Sequence, residues 1–380
     1  MTATRRFLLL ILLSTGLGLL MVGGGLAVLM HAADEWRLYD PEVIANDTIL
    51  WGGAFGQNRA GYKFARTRHY QPELLILGSS RVTQFRAQML PGIRVYNAGG
   101  AAASLWGART FLEGLYRQHQ PKILVLGIDE WWFRNEPGKL GAEQAARDLA
   151  FNRKEIAANL IDRLGPQLIR DILAPHAASD PLGGRPTVGL RARALASGFR
   201  PDGSDQYGNL ILGLGGYDPR TTHDMDFIFY RQAIERNKDR FSYSGPVAGK
   251  AVENLRAILS EARQRGVRAV VVLSPYPHAV WEEIQASPNH RRFHADVEAA
   301  VSRVTAETGA ELHVTHDLAE LGLDDSFSLD GIHVDEIASL RQMLRIIDAS
   351  PVLNPLVDRP ALAQLRSIDT SSMRRHIVFP

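Results

Sequence analysis

Glu73-Leu74-Leu75-Ile76-Leu77-Gly78-Ser79-Ser80-Arg81 decides how this chain of 380 residues is read. Leu74 to Leu77 is apolar without alternation, as in a strand covered on both faces. The glycine and the two serines then end the strand and favour a turn into a helix. The same event recurs along the chain. Arg94–Asn97 ends in Ala98-Gly99-Gly100, Lys122–Leu126 in Gly127-Ile128-Asp129, and Arg268–Leu273 in Ser274-Pro275. Glu311–Val314 is a last short strand. Helical periodicity falls between them, at Ser104–His119, Ala248–Arg265, Phe293–Thr308 and Val334–Ile347, with stops at Pro121, Gly266 and Gly309. Strands alternating with helices predict an α/β fold with a parallel sheet and right-handed crossovers. Ligands of such sheets sit beyond the carboxyl ends of the strands, where these Gly- and Ser-rich segments fall.

Bulk properties narrow the class. The chain is 45% hydrophobic and 22% charged, enough for a sizeable core. A formal net charge of +2 and no long basic stripe give no reason to expect nucleic acid. There are no cysteines, which excludes disulfides, thiolate metal sites and a cysteine nucleophile. Arg5 and Arg6 precede a charge-free run from Phe7 to Met30. As a helix this run reaches roughly 36 Å, against a bilayer core of about 30 Å. Asp34 and Glu35 follow it. Basic residues before and acids after predict a cytoplasmic tail (1–6), a transmembrane helix (7–30) and an extracytoplasmic main domain, periplasmic in a Gram-negative envelope. A cleaved signal peptide is the competing reading, although the run is long for one and His31-Ala32-Ala33 is a poor cleavage site.

Residues 31–70, with Trp36 and Trp51, read as a neck that packs on the main domain. Residues 71–350 form that domain, and 351–380 a C-terminal extension. The alternation breaks between about 134 and 246. Ala142–Leu164 and Pro166–Ile172 are helical in pattern, whereas Pro201–Asp205 and Gly213–Tyr217 are turn-rich. The interval reads either as an insertion bordering the site or as a subdomain without a chemical role.

Two segments carry the chemistry. Ser80, on a turn after a strand, is placed with its hydroxyl exposed at the sheet edge, where helix N–H groups stabilise an oxyanion. Alternatively, Ser79 and Ser80 only cap a helix. Far downstream, Asp330-Gly331-Ile332-His333 spaces an acid and a histidine so that both reach one serine. The histidine takes the hydroxyl proton and returns it, and the acid fixes the imidazole tautomer.

These segments together resemble the SGNH (GDSL-like) hydrolases and acyltransferases, over roughly residues 70 to 345. Gly78-Ser79-Ser80 stands where that family has its Gly-Asp-Ser block, Asn97-Ala98-Gly99-Gly100 where it has a glycine block, and Gly127-Ile128-Asp129-Glu130 where it has Gly-x-Asn-Asp. Asp330 and His333 match its late Asp-x-x-His. The resemblance implies a flavodoxin-like three-layer sandwich, a Ser80 nucleophile, a His333 base, an Asp330 orienter, and oxyanion or substrate contacts near Asn97, Gly99, Gly100 or the Ala102 backbone. With the apolar N-terminus, the chain looks most like the anchored members, which include teichoic-acid D-alanine transfer and alginate acetylation proteins. Asp129 departs from the pattern. A carboxylate in place of the family's asparagine repels a developing oxyanion. Asp129 is therefore protonated, or points elsewhere, or impairs the chemistry.

Other residues carry paired readings. Arg81 is an anion-binding group or a solvated arginine. Trp131 and Trp132 form a sugar-stacking wall or pack internally. His313, His316 and Asp317 look like metal ligands, but no third cluster completes a site, and neither a metal nor another cofactor is expected. Pro275-Tyr276-Pro277-His278 is a plain turn or lines the pocket. The leading expectation is serine-dependent transfer or hydrolysis of an ester-linked acyl group on a cell-envelope glycan or acyl carrier, through an acyl-enzyme, with a multispan membrane acyl donor as a further partner. The other expectation, prompted by Asp129, is a non-catalytic binding or scaffold component of an envelope polysaccharide assembly.

Overall fold

A computed structural model of the chain describes residues 3–32, 34, 37, 40–53, 59–134, 149, 186–207, 226–243, 245–369 and 379. The strands are β1 (Leu50–Trp51), β2 (Leu74–Gly78), β3 (Val95–Gly99), β4 (Ile123–Ile128), β5 (Thr187–Val188), β6 (Gly198–Phe199), β7 (Asp205–Gln206), β8 (Arg268–Leu273) and β9 (Glu311–Val314). The five expected strands make one parallel sheet in the order β3-β2-β4-β8-β9. The chain leaves β2 for β3 on one side, then crosses back to β4 on the other. That reversal makes the carboxyl end of β2 the switch point, where a crevice opens.

Alternation along each strand builds two cores. Leu75, Leu77, Leu124, Leu126 and Val271 face the Leu105–Leu115, Gly249–Gln264 and Pro288–Thr308 helices. Leu74, Ile76, Val125, Val270 and Val272 face the Glu336–Ala349 helix and, in the C-terminal extension, the Arg359–Ser367 helix. Burial on both faces explains the continuous apolar runs and produces three layers.

β2, β3 and β4 run one or two residues beyond the ends expected from sequence, whereas β8 and β9 end where expected. Gly78 pairs with Gly99 on one side and with Gly127 on the other. A Cβ on Gly78, Gly99 or Gly127 would meet a Val82 methyl at 3.0, 2.9 or 2.3 Å respectively. The three glycines thus form a flat seat that lets the Ser80–Val82 turn fold down on the strand ends.

A second, small sheet has the order β5-β1-β6-β7. It joins the neck to the insertion. Trp51 stacks on Tyr62 and Phe199, with ring centroids 4.1 and 5.9 Å away. The Asn97 N–H donates to Asp202 O at 2.7 Å and the Asp205 N–H to Thr83 O at 2.9 Å, docking this sheet on the Ser80 turn. The patterned segments Ala142–Leu164, Pro166–Ile172 and Gly213–Tyr217 lie outside the described residues, Leu149 apart. At the N-terminus, Ala3–Ala32 is one helix. Its Thr4–Gly25 stretch has mean hydropathy 2.3, is unburied by the protein, and is long and apolar enough to span a membrane once.

Candidate active site

The Ser80 turn is built by its neighbours. Ser79 is the cap, its Oγ accepting the Arg81 N–H at 3.1 Å. Ser80 Oγ instead lies 2.7 Å from His333 Nε2. Of the two serines, Ser79 alone takes the capping role. On the other side of the imidazole, Nδ1 is 2.7 Å from Asp330 Oδ2. The second Asp330 oxygen accepts the Ile332 and His333 N–H groups, both at 2.8 Å. Burial works to raise the Asp330 carboxyl. The electrostatic pull of His333, its hydrogen bond and the two backbone donors outweigh this and hold it below the usual aspartate range. Nδ1–H thus donates to an ionised Asp330, and Nε2 accepts the Ser80 proton. The Ser328 hydroxyl donates to His333 O at 2.8 Å and also to Asp330 O, closing the loop that carries both residues. Asp335 is the next acid along, and it caps the Glu336–Ala349 helix by accepting from the Ala338 N–H.

The expected oxyanion residues sit close by but are engaged elsewhere. The Gly100 N–H is shared between Gly78 O and Ser79 O, at 2.9 and 2.8 Å. The Gly99 N–H donates to Asn97 Oδ1 at 2.6 Å, and the Ala102 N–H to Gly78 O at 3.3 Å. Asn97 Nδ2 donates to Val82 O and Phe85 O, each at 2.7 Å. These hydrogen bonds hold the Ser80 turn. The Ser80 N–H makes no hydrogen bond among the described residues and remains available.

Asp129 points elsewhere. It is 1% exposed and is not on the wall of the cleft that holds Ser80 and His333. Its Oδ1 lies 3.6 Å from Arg81 Nη1, and its Oδ2 has no hydrogen-bond partner. Burial pushes its carboxyl up to about 6, against the pull of Arg81. The folded state therefore binds this proton more tightly than the unfolded chain does. Its stabilising contribution is complete below about pH 4 and is lost as pH rises past about 6, at most about 3 kcal/mol. Asp129→Asn keeps the shape of the neutral acid and is expected to gain up to that amount at pH 7.5, with no gain near pH 4. Denaturation melts of both forms at the two pH values check this. An Asp129→Asn protein less stable than the parent at pH 7.5 would contradict it.

Arg81 is neither an anion site nor a solvated side chain. It is 3% exposed. Nε donates to Ile332 O at 3.1 Å, Nη2 to Ser274 O at 2.5 Å and Pro275 O at 3.1 Å, and Nη1 to Glu130 Oε2 at 3.3 Å. Its guanidinium lies 4.1 Å from the centroid of the Tyr276 ring, and the Tyr276 hydroxyl donates to Glu130 at 2.7 Å. Trp132 is buried, and Trp131 is half-buried. His313 pairs with Glu311, His316 with Glu298 and Glu320, and Asp317 with His278.

Sequence reasoning missed the cleft itself. It has a volume of about 280 Å³, with Ser80 and His333 on one wall. The opposite wall comes from the neck and the insertion, through Trp51, Phe199, Gln206 and Tyr207. Arg59, Arg191 and Arg240 also line it. No protein-family model matches the chain, and no curated protein matches it in sequence.

Proposed function

We propose that the protein is a membrane-anchored serine acyltransferase or esterase of SGNH type, acting on an ester-linked acyl group of a cell-envelope glycan. The observation that carries this reading is the chain of hydrogen-bonding distances from Ser80 Oγ through His333 to Asp330. Ser80 Oγ attacks the acyl carbonyl while its proton passes to His333 Nε2. The Ser80 N–H lies at the turn where the carbonyl oxygen gains charge. Collapse breaks the ester bond, and His333 returns the proton to the departing alkoxide. A sugar hydroxyl or water then gives its proton to His333 and takes the acyl group from Ser80. Arg5 and Arg6 before the apolar helix, with the acids after it, favour a domain outside the cytoplasmic membrane. Asp129 prompted the scaffold reading, and it lies off the cleft wall, so it lends that reading no support.

The test is a fluorophosphonate probe on the detergent-solubilised full chain at pH 7.5. One adduct on the peptide carrying Ser80 is expected. Absence of any adduct on a folded protein would refute the proposal.

A further inference from the structure

The cleft wall is cationic, and nothing in the acyl-transfer chemistry requires that. Arg59 reaches it from the Arg59–Tyr70 helix, and Arg191 and Arg240 from two distant parts of the insertion, the Leu190–Leu195 helix and the short turn Asp239–Phe241. None of the three forms an ion pair within 4 Å among the described residues. Asp205 is the single carboxylate on the lining among the described residues. Asp330, beside the cleft, is already bonded to His333 and to two backbone N–H groups.

Two of the guanidiniums are braced by aromatic faces. Arg59 lies 5.9 Å from the Phe199 ring centroid, and Arg240 lies 5.3 Å from that of Trp131. Such stacking fixes the plane of the group and leaves its N–H edges free. Arg191 is half-buried, and its Nε has no hydrogen-bond partner. A buried donor without an acceptor is costly unless a ligand supplies one. Three converging guanidiniums in a concave site match the oxygens of a carboxylate or phosphate.

We propose that this cleft binds an anionic group, a carboxylate or phosphate, carried by the molecule that gives or receives the acyl group, and that Arg59, Arg191 and Arg240 hold it beside Ser80. The inference rests on the acyl-transfer reading for the role of that molecule, but not for the binding itself. The volume of about 280 Å³ is at the lower end for small-ligand sites, which suits one sugar-sized unit rather than a long acyl chain.

The experiment uses the full-length Ser80→Ala protein in detergent, so that binding is read without turnover. Glucuronate, glucose 6-phosphate and glucose share a ring and differ in charge, and each is titrated by ligand-observed NMR at low salt. At least one anion is expected to bind about tenfold or more tightly than glucose. Which anion does so separates the carboxylate from the phosphate source. The preference should shrink in 0.5 M salt. It should fall to less than about threefold in Arg59→Gln/Arg191→Gln, and also in the exposed-site variant Arg240→Gln if the double variant melts early. Equal binding of all three sugars, no binding of either anion, or a preference that survives these substitutions overturns the proposal. Anion binding by a protein whose Ser80 takes no fluorophosphonate adduct leaves the cleft assignment standing and removes the acyl-transfer one.

Discussion

Ser80→Ala is expected to lower the turnover of 4-nitrophenyl acetate on the order of 10⁴-fold, with His333→Ala close behind. The two groups act as one unit at 2.7 Å. Without His333 the Ser80 hydroxyl keeps its proton and is a poor nucleophile, and without Ser80 the base has nothing to activate. The combined variant should therefore be no slower than either single one, because each removes the same step. The residual rate would come from the Ser80 N–H and the cleft, which act without the pair. Both substitutions lie at the cleft wall and not in the core, so melting temperatures should stay close to the parent's. Rates that add in the double variant, or a Ser80→Ala protein with more than about a tenth of the parent rate, would show that the pair does not work in this way.

The parts of this site that were legible in the sequence share a physical cause. The five strands are buried on both faces, so their apolar runs stand out whatever surrounds them. Asp330 and His333 are local to one loop, and Ser80 is local to one strand end, so each half of the grouping shows in a short segment. What was illegible depends on distant pairing. Whether the Gly100 N–H faces a substrate is decided by Gly78 O and Ser79 O on another strand, which no local pattern encodes. Glycine normally signals that a strand is over, but Gly78, Gly99 and Gly127 are themselves paired in the sheet, at the place where Val82 needs the space. The strands of the small sheet are two residues long and far apart in the chain, too short for any period. Arg81 has the same letter whether it is solvated or enclosed, and only the fold tells which.

That enclosure gives Arg81→Met the largest expected effect on stability, a loss of about 3–5 kcal/mol. The guanidinium is the shared cation of Asp129 and Glu130, which are both buried. His294, 3.6 Å from Glu130, does not substitute for it, because burial pushes that imidazole down to about 4 and leaves it neutral at pH 7. Removing Arg81 therefore strands the Glu130 carboxylate, leaves Asp129 to take up a proton, and unties the Ile332, Ser274 and Pro275 carbonyls from one another. Arg81→Lys restores a charge but not the planar fork that reaches four acceptors, and should recover only part of the loss. Ile332 adjoins His333, so the tether also positions the base. The turnover number is expected to drop about tenfold or more in Arg81→Lys with little change in KM. Adding Glu130→Gln to Arg81→Met should return stability, since one stranded charge is gone, without returning turnover. Stability is read from urea midpoints and activity from 4-nitrophenyl acetate. If the double variant regains turnover along with stability, Arg81 serves the fold alone and places no catalytic group.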